Sequence, residues 1–258
     1  MTLDGVFTEG YKKLVGELKD DQEKYLRVIA EAREMPVEWI EKAEGIFIPN
    51  NDFMYFLFGQ GILQFDCYRN GQCIWDNALI FPVRGADDRV AGFAGFFPFK
   101  YVEHEAGEYY YSYSSTAVFQ KGRFLYMPNS SITKAIEDEY LIVVDGLFDA
   151  ISLSYFGYNV ASFMGSTVTP ERIMQLRFIK NVLVASDNDK AGMTLYGDLK
   201  KVLNNVEFLP HAKTKDIDEL LKSSGAEEFR RDLNQRLITL GVRTVSYTHL
   251  TLPTKRVV

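Results

Sequence analysis

Between residues 140 and 210 short apolar runs alternate with helix-patterned segments, and this alternation restricts the fold more than any other feature of the chain. The spacing predicts strands at 140–145, 159–163, 181–186 and 205–210, with helices at 147–156, 169–179 and 190–203 between them. Such alternation calls for crossover connections, and so for a parallel sheet covered on both faces. Two of the runs stop at a carboxylate: Leu141-Ile-Val-Val-Asp145, and Val182-Leu-Val-Ala-Ser-Asp187 continuing into Asn188-Asp189-Lys-Ala-Gly192. Parallel strands end at one edge, where ligands of these sheets bind, so Asp145, Asp187 and Asp189 are expected to converge there. Crowded carboxylates repel one another, and a divalent cation relieves the repulsion. Hard oxygen ligands at this spacing suit Mg²⁺, which shares its shell with substrate phosphates. Metal-dependent phosphoryl chemistry is therefore the first expectation, although Asp-Asn-Asp alone also fits a polar turn capping a helix.

Upstream the texture differs. Apolar residues three and four apart predict helices in Tyr11–Lys19 and Asp21–Arg33, and Pro36 is expected to fill the first turn of a helix through Val37-Glu-Trp-Ile-Glu-Lys-Ala. From about 46 to 126 aromatic and β-branched segments dominate. Strands are expected in Phe53–Phe58, Cys73–Val83, Val90–Phe97 and Tyr109–Tyr113, with hairpin turns at Asn70-Gly71 and Gly85-Ala-Asp-Asp. The fold class is thus α+β: a mixed helical and antiparallel-sheet part over 1–138, a largely parallel α/β part over 139–210, and a short acidic and helical segment over 211–241. Residues 242–258 read as a translated adapter foreign to the fold, and removing Arg243, Lys255 and Arg256 with them takes the formal charge from −6 to −9.

With 258 residues, 47% of them hydrophobic, one large or two small cores are within reach. No apolar stretch approaches the roughly 20 residues that span a bilayer, and the N-terminus lacks a signal-peptide pattern. Cys67 and Cys73 are the only cysteines, with no His nearby to complete a zinc set. A reduced pair in a cytoplasmic protein, away from membranes, is the expectation. The acidic net charge argues against tight, non-specific nucleic-acid binding but leaves room for a local basic groove. His104 and His211 read as surface residues, and Phe93, Phe96 and Phe97 as core.

Three segments in order, Val144-Asp145-Gly146-Leu-Phe-Asp149, Ala161-Ser-Phe-Met-Gly165-Ser-Thr-Val-Thr169-Pro170 and Asp187-Asn188-Asp189-Lys-Ala-Gly192, resemble a TOPRIM domain. Lys215-Asp216-Ile-Asp218-Glu-Leu resembles the late acidic motif of bacterial-type (DnaG-like) primases. Upstream, Tyr25–Ile40, Ile80-Phe-Pro-Val-Arg84 with Val90-Ala-Gly-Phe-Ala-Gly95, and Phe119-Gln-Lys121-Gly-Arg-Phe-Leu-Tyr126 resemble segments of the same RNA-polymerase core. The likeness runs from about 20 to 225, with no zinc-ribbon segment ahead of it and no helicase-interaction domain behind.

That resemblance implies synthesis of short RNA primers on single-stranded DNA from nucleoside triphosphates, by nucleotidyl transfer with two or more Mg²⁺ or Mn²⁺ ions. It implies Asp145, Asp187 and Asp189 as catalytic metal ligands and Asp216 and Asp218 as ligands completing or supporting a second site. Asp149 becomes a supporting or helix-capping carboxylate beside Asp145. Lys121, Arg84 and Lys100 are implied for nucleotide or template binding. A replicative helicase or a separate zinc-binding domain are the implied partners, and a phage or mobile element the implied source. The chain also departs from the family. Asp145 stands where a Glu is usual, shortening the side chain by one methylene, about 1.5 Å. The Arg usual before Phe81-Pro82 is Ala78 or Leu79, and Phe96 holds another expected Arg position. These departures keep two alternatives open: a primase-like module that binds single-stranded DNA or a replication partner without polymerising, and a TOPRIM nuclease.

Overall fold

Alternate residues of the run Tyr140–Val144 serve two different cores. Tyr140, Ile142 and Val144 pack on one side, Leu141 and Val143 on the other, as the period-two pleat of a strand requires. The computed structural model describes residues 12, 15–16, 22–48, 68–69, 72–73, 78–96, 98, 121–186, 190–209, 217–223 and 225–242. The strands expected at 53–58 and 109–113, both histidines named above, Phe97 and Cys67 lie outside them.

A helix at residues 22–32 (α1) and another at Val37–Lys42 (α2) open the fold. Pro36 sits at the N-cap of α2 with ψ 137°, extended and so one step outside the first turn where it was expected. Strands β1 (Ile46–Ile48), β4 (Ala78–Arg84) and β5 (Val90–Phe96) form an antiparallel sheet in the order β1-β4-β5. A separate two-stranded ribbon joins β2 (Tyr68–Arg69) to β3 (Gln72–Cys73) across Asn70-Gly71. The expected turn at Gly85–Asp88 closes the β4–β5 hairpin, with the Gly85 N–H donating to the Arg89 carbonyl at 2.9 Å. Both long strands are buried on both faces apart from Arg84, so they read as apolar runs rather than as alternating ones.

Downstream come α3 (Ile132–Glu137), β6 (Tyr140–Val144), α4 (Leu147–Tyr155), β7 (Val160–Ser162), α5 (Pro170–Leu176), β8 (Asn181–Val184), α6 (Lys190–Val202), β9 (Val206–Phe208), α7 (Ile217–Lys222) and α8 (Ala226–Thr239). The four strands form a parallel sheet in the order β7-β6-β8-β9. Leu176 of α5 and Leu195 and Leu199 of α6 cover one face. Ile151 of α4, Leu221 of α7 and Leu233 and Leu237 of α8 belong to the core on the other. This second core continues without a break into Leu26, Ile29, Trp39, Phe47, Leu79 and Phe81, so the helical entry, the antiparallel sheet and the parallel sheet share apolar packing. Phe148 of α4 is the meeting point. Its ring lies edge-on to Phe81 and Phe96 at 6.1 and 5.1 Å between centroids, contacts worth about 0.5–1.5 kcal/mol each beyond area burial.

At its end α8 is capped by Gly241, at φ +76°, and by the Val242 N–H donating to the Leu237 carbonyl. Val242 is buried in the main core. The fold therefore includes Val242, which the sequence reading had grouped with the foreign tail. Among the described residues no helix is long and apolar enough to cross a membrane.

Candidate metal centre

From β6 the chain passes through α4 to β7 on one side, then returns through α5 to β8 on the other side of β6. The crevice beyond the carboxyl ends of β6 and β8 is therefore the switch point where such sheets bind ligands. Asp145 stands there, half-buried, one residue past Val144. The register pairs Val143 with Val184, and the Ala185 N–H donates to the Val143 carbonyl at 2.8 Å. This brings Ser186 alongside the end of β6. Asp187, Asn188 and Asp189, which follow in sequence, lie outside the described residues. So do Asp216 and Lys100.

The backbone around Asp145 is tied down from the neighbouring strand. Its carbonyl accepts from the Ser162 hydroxyl and from the Gly165 N–H, both at 3.0 Å. The Ser162 hydroxyl in turn accepts from the Met164 N–H at 2.8 Å. This turn runs left-handed through Met164 (φ +53°) and Gly165 (φ +124°), the second a conformation that side chains other than hydrogen rarely adopt. On the other strand, the fully buried Ser186 donates its hydroxyl to the Gly192 carbonyl at 2.9 Å. That bond ties the two ends of the Asp-Asn-Asp segment together.

Gly146 leads into α4, and its need for a hydrogen side chain is spatial rather than conformational. A Cβ built there would fall 2.1 Å from Oδ2 of Asp149, at an ordinary φ of −81°. Asp149 is buried at the third position of the helix, and its Oδ1 accepts the N–H of Asp218 at 3.0 Å. The supporting and capping role expected of Asp149 thus takes a definite form: it joins the start of α4 to the start of α7. A carboxylate in the first turn of a helix also meets the positive end of the helix dipole.

Asp218 itself is only 3% exposed. Its Oδ1 accepts from the Ser152 hydroxyl at 2.7 Å, and its Oδ2 accepts from Arg33 at 3.1 Å and Lys222 at 2.8 Å. Expected beside Asp216 as a metal ligand, it has both oxygens committed to protein donors. Arg84, expected in the template groove, directs its guanidinium to Glu44 and to the Asp88 carbonyl at the turn end of the hairpin. Lys121 begins a 3₁₀ turn, Lys121–Arg123, whose carbonyls are held by α5 and the residue before it. Thr169 donates to Gly122, Gln175 to Arg123 at 2.9 Å, and the buried Arg172 to Phe124 at 2.8 Å. A second Arg172 nitrogen donates to the Thr167 carbonyl at 2.9 Å. Tyr126 and Ser162 exchange backbone hydrogen bonds at 3.0 and 2.8 Å, adding this segment to the free edge of β7. Arg33, Ser162, Arg172 and Ser186 were not singled out from the sequence. Ser162 and Ser186 each lie inside or next to a quoted motif, which was the one local signal for them.

Among the described residues no three Asp, Glu, His or Cys side chains form a metal-holding group. What they do provide is a half-buried carboxylate at a switch point, with Ser186 brought alongside and bonded to Gly192. Oxygen donors presented this way fit Mg²⁺ or Mn²⁺ rather than a soft metal.

Comparison with known proteins agrees with that geometry. Residues 142–221 match the family model described as Toprim-like. A DNA primase of Clostridium acetobutylicum is 29% identical over 223 residues, covering 84% of this chain and 33% of the relative. An E. coli primase catalytic core superposes with a TM-score of 0.68 at 23% identity, over 91% of this chain and 80% of that one. A structure of a DnaG primase catalytic domain bound to single-stranded DNA gives 0.65 at 22%, over 88% and 78%. Fold and site thus define an α+β protein with a Toprim-like segment built on a parallel sheet. More particularly, the chain is similar in sequence to bacterial DNA primases and shares the fold of DnaG catalytic cores. It spans about a third of the length of the curated relatives it matches.

Proposed function

We propose that this chain is a primase catalytic core, joining nucleoside triphosphates into short RNA primers on a single-stranded DNA template. The observation that carries the reading is Asp145 at the carboxyl end of β6, with the β6–β8 register bringing Ser186 alongside it at the switch point, inside the fold of primase cores. In this reading Asp145, Asp187, Asp189 and Asp216 hold two or more Mg²⁺ or Mn²⁺ ions. Bound there, such ions neutralise triphosphate charge and lower the pKa of the primer 3′-hydroxyl. The chain's own contribution is placement. Ser162 and Gly165 fix the Asp145 backbone, Ser186 is bonded to Gly192, and the 121–124 segment is strapped to α5 and Thr169; in this reading Lys121 meets a phosphate or the template backbone. Positioning of this kind dominates the energetics of phosphoryl transfer. Single-stranded DNA and nucleoside triphosphates are the substrates; a helicase and a zinc-binding module are the partners this reading adds, in the cytoplasm.

The test is incubation with single-stranded templates, labelled ribonucleotides and Mg²⁺ or Mn²⁺, beside Asp187→Ala and Asp145→Glu. Metal-dependent oligoribonucleotides that Asp187→Ala abolishes are expected. Asp145→Glu, which restores the length usual in the family, is expected to raise the yield several-fold. Cut DNA would instead identify a nuclease. DNA binding without product in either metal would identify a non-polymerising module.

A further inference from the structure

The ion pair under α4 joins residues 185 positions apart, and the proposed metal ligands do not account for it. Arg33 lies just beyond α1, with its side chain 9% exposed. Its guanidinium lies 3.7 Å from the centroid of the Phe148 ring and donates to Asp218 Oδ2 at 3.1 Å. Lys222, one turn along α7, donates to that same oxygen at 2.8 Å and to the Arg33 backbone carbonyl at 2.9 Å. Arg33, Asp218 and Lys222 therefore form a closed ring, and α4 completes it from the other side. Ser152 donates to Asp218 Oδ1, Asp149 accepts the Asp218 N–H, and Phe148 lies against the guanidinium.

The two groups this ring touches are the two it can place. Helix α4 leaves directly from Asp145-Gly146, and Asp218 follows Asp216 by two residues. With its oxygens committed to Arg33, Lys222 and Ser152, Asp218 could ligate a metal only by giving up buried charge-assisted bonds. We infer that Asp218 is a positioning residue and not a metal ligand, and that Arg33 is the strut through which the N-terminal helical segment holds the start of α7 against α4, the helix that leaves from Asp145. The inference rests on the metal centre proposed above. It adds that metal affinity is coupled to a side chain that touches no metal.

Direct Mn²⁺ titration, read by the loss of the free-ion electron paramagnetic resonance signal, separates the possibilities without an activity assay. The proteins are wild type, Asp187→Ala, Arg33→Met, Asp218→Asn, the Arg33→Met/Asp218→Asn double variant, and Lys222→Met as the milder disruption. Positioning predicts that Arg33→Met and Asp218→Asn each weaken Mn²⁺ binding by a similar factor, on the order of tenfold. The double variant should be no weaker than either single, because the pair acts as one unit. Lys222→Met should weaken binding in the same direction by a smaller factor, which keeps the test open if Arg33→Met fails to fold. Mn²⁺ binding that Asp218→Asn abolishes while Arg33→Met and Lys222→Met leave it unchanged would make Asp218 a ligand and overturn the inference. Wild-type protein that binds no Mn²⁺, or binds it regardless of Asp187→Ala, would overturn the metal centre itself. Those two failures are distinct.

Discussion

Replacing Gly146 by Ala tests whether the Asp149 carboxylate joins α4 to α7. The backbone at Gly146 suits any residue, so the cost must come from the new methyl group, 2.1 Å from Asp149 Oδ2. Asp149 has to swing aside, and its other oxygen then abandons the buried N–H of Asp218. A hydrogen bond to a charged group contributes about 1.5–3 kcal/mol, and replacing Gly by Ala at an N-cap, where Gly ranks well above Ala, adds roughly 0.5 kcal/mol. Gly146→Ala is therefore expected to lose about 2–3 kcal/mol, roughly 1 M in urea midpoint for an m-value near 2–3 kcal/mol/M. The control is the same substitution in an Asp149→Ala background, where the carboxylate is already gone. There the added cost should fall to about 0.5 kcal/mol, leaving a coupling of about 2 kcal/mol in the double-mutant cycle. Equal costs in the two backgrounds, or a Gly146→Ala variant within 0.5 kcal/mol of wild type, would refute the capping geometry.

Two further outcomes are expected. Arg172→Met keeps the apolar stem but loses the donors to the Phe124 and Thr167 carbonyls, so thermal stability should drop by the equivalent of about 3 kcal/mol; limited proteolysis should then cut faster between 121 and 126. Burial tends to raise the Asp138 pKa, but side-chain hydrogen bonds from Lys134 and Asn159 and the Lys134 charge outweigh it, holding the group below its usual 3.8. A depressed carboxylate stabilises the fold above its unfolded value and loses that contribution as pH falls through the folded one. The stability gap between wild type and Asp138→Asn should accordingly be steady at neutral pH and close below pH 3.8, read by urea titration at several pH values; with 31% of the side chain exposed it should be small.

The parallel sheet was legible because it is written locally. Short continuous apolar runs ending in Asp145 and Ser186–Asp187, separated by helix-patterned segments, leave few arrangements, and the strand bounds moved by only one or two residues at most ends. The antiparallel strands β4 and β5 were also legible, though as continuous apolar runs, since both their faces are covered. The bonds that set the site were not legible. Arg172 occupies an amphipathic helix where a sequence reader places arginine at the surface, yet it is 1% exposed because the 121–124 segment supplies carbonyls for it. Arg33 and Asp218 lie 185 positions apart with no pattern connecting them. Asp218 reads as a ligand because it follows Asp216 in an acidic motif, and the fold adds that Arg33, Lys222 and Ser152 surround it.

These long-range bonds bear on how a cluster of carboxylates is held at all. Like charges at one sheet edge push apart, and a centre that relied on its metals for shape would lose it whenever they left. Here the ties near that edge run between protein groups. The Asp145 carbonyl is held by Ser162 and Gly165, Ser186 is held to Gly192, and Asp149 is held to the start of α7. The carboxylates that do not face the crevice, Asp149 and Asp218, are neutralised from behind by a helix N-terminus and by Arg33 and Lys222. Charge compensation of the buried acids is thus local: a helix N-terminus serves Asp149, and Arg33 and Lys222 serve Asp218. Such a frame is preorganised, so the hydrogen-exchange protection of Gly165, Ala185 and Asp218 should be nearly the same with and without Mg²⁺. Protection of these amides that appeared only with metal would mean that the ions build the edge rather than occupy it.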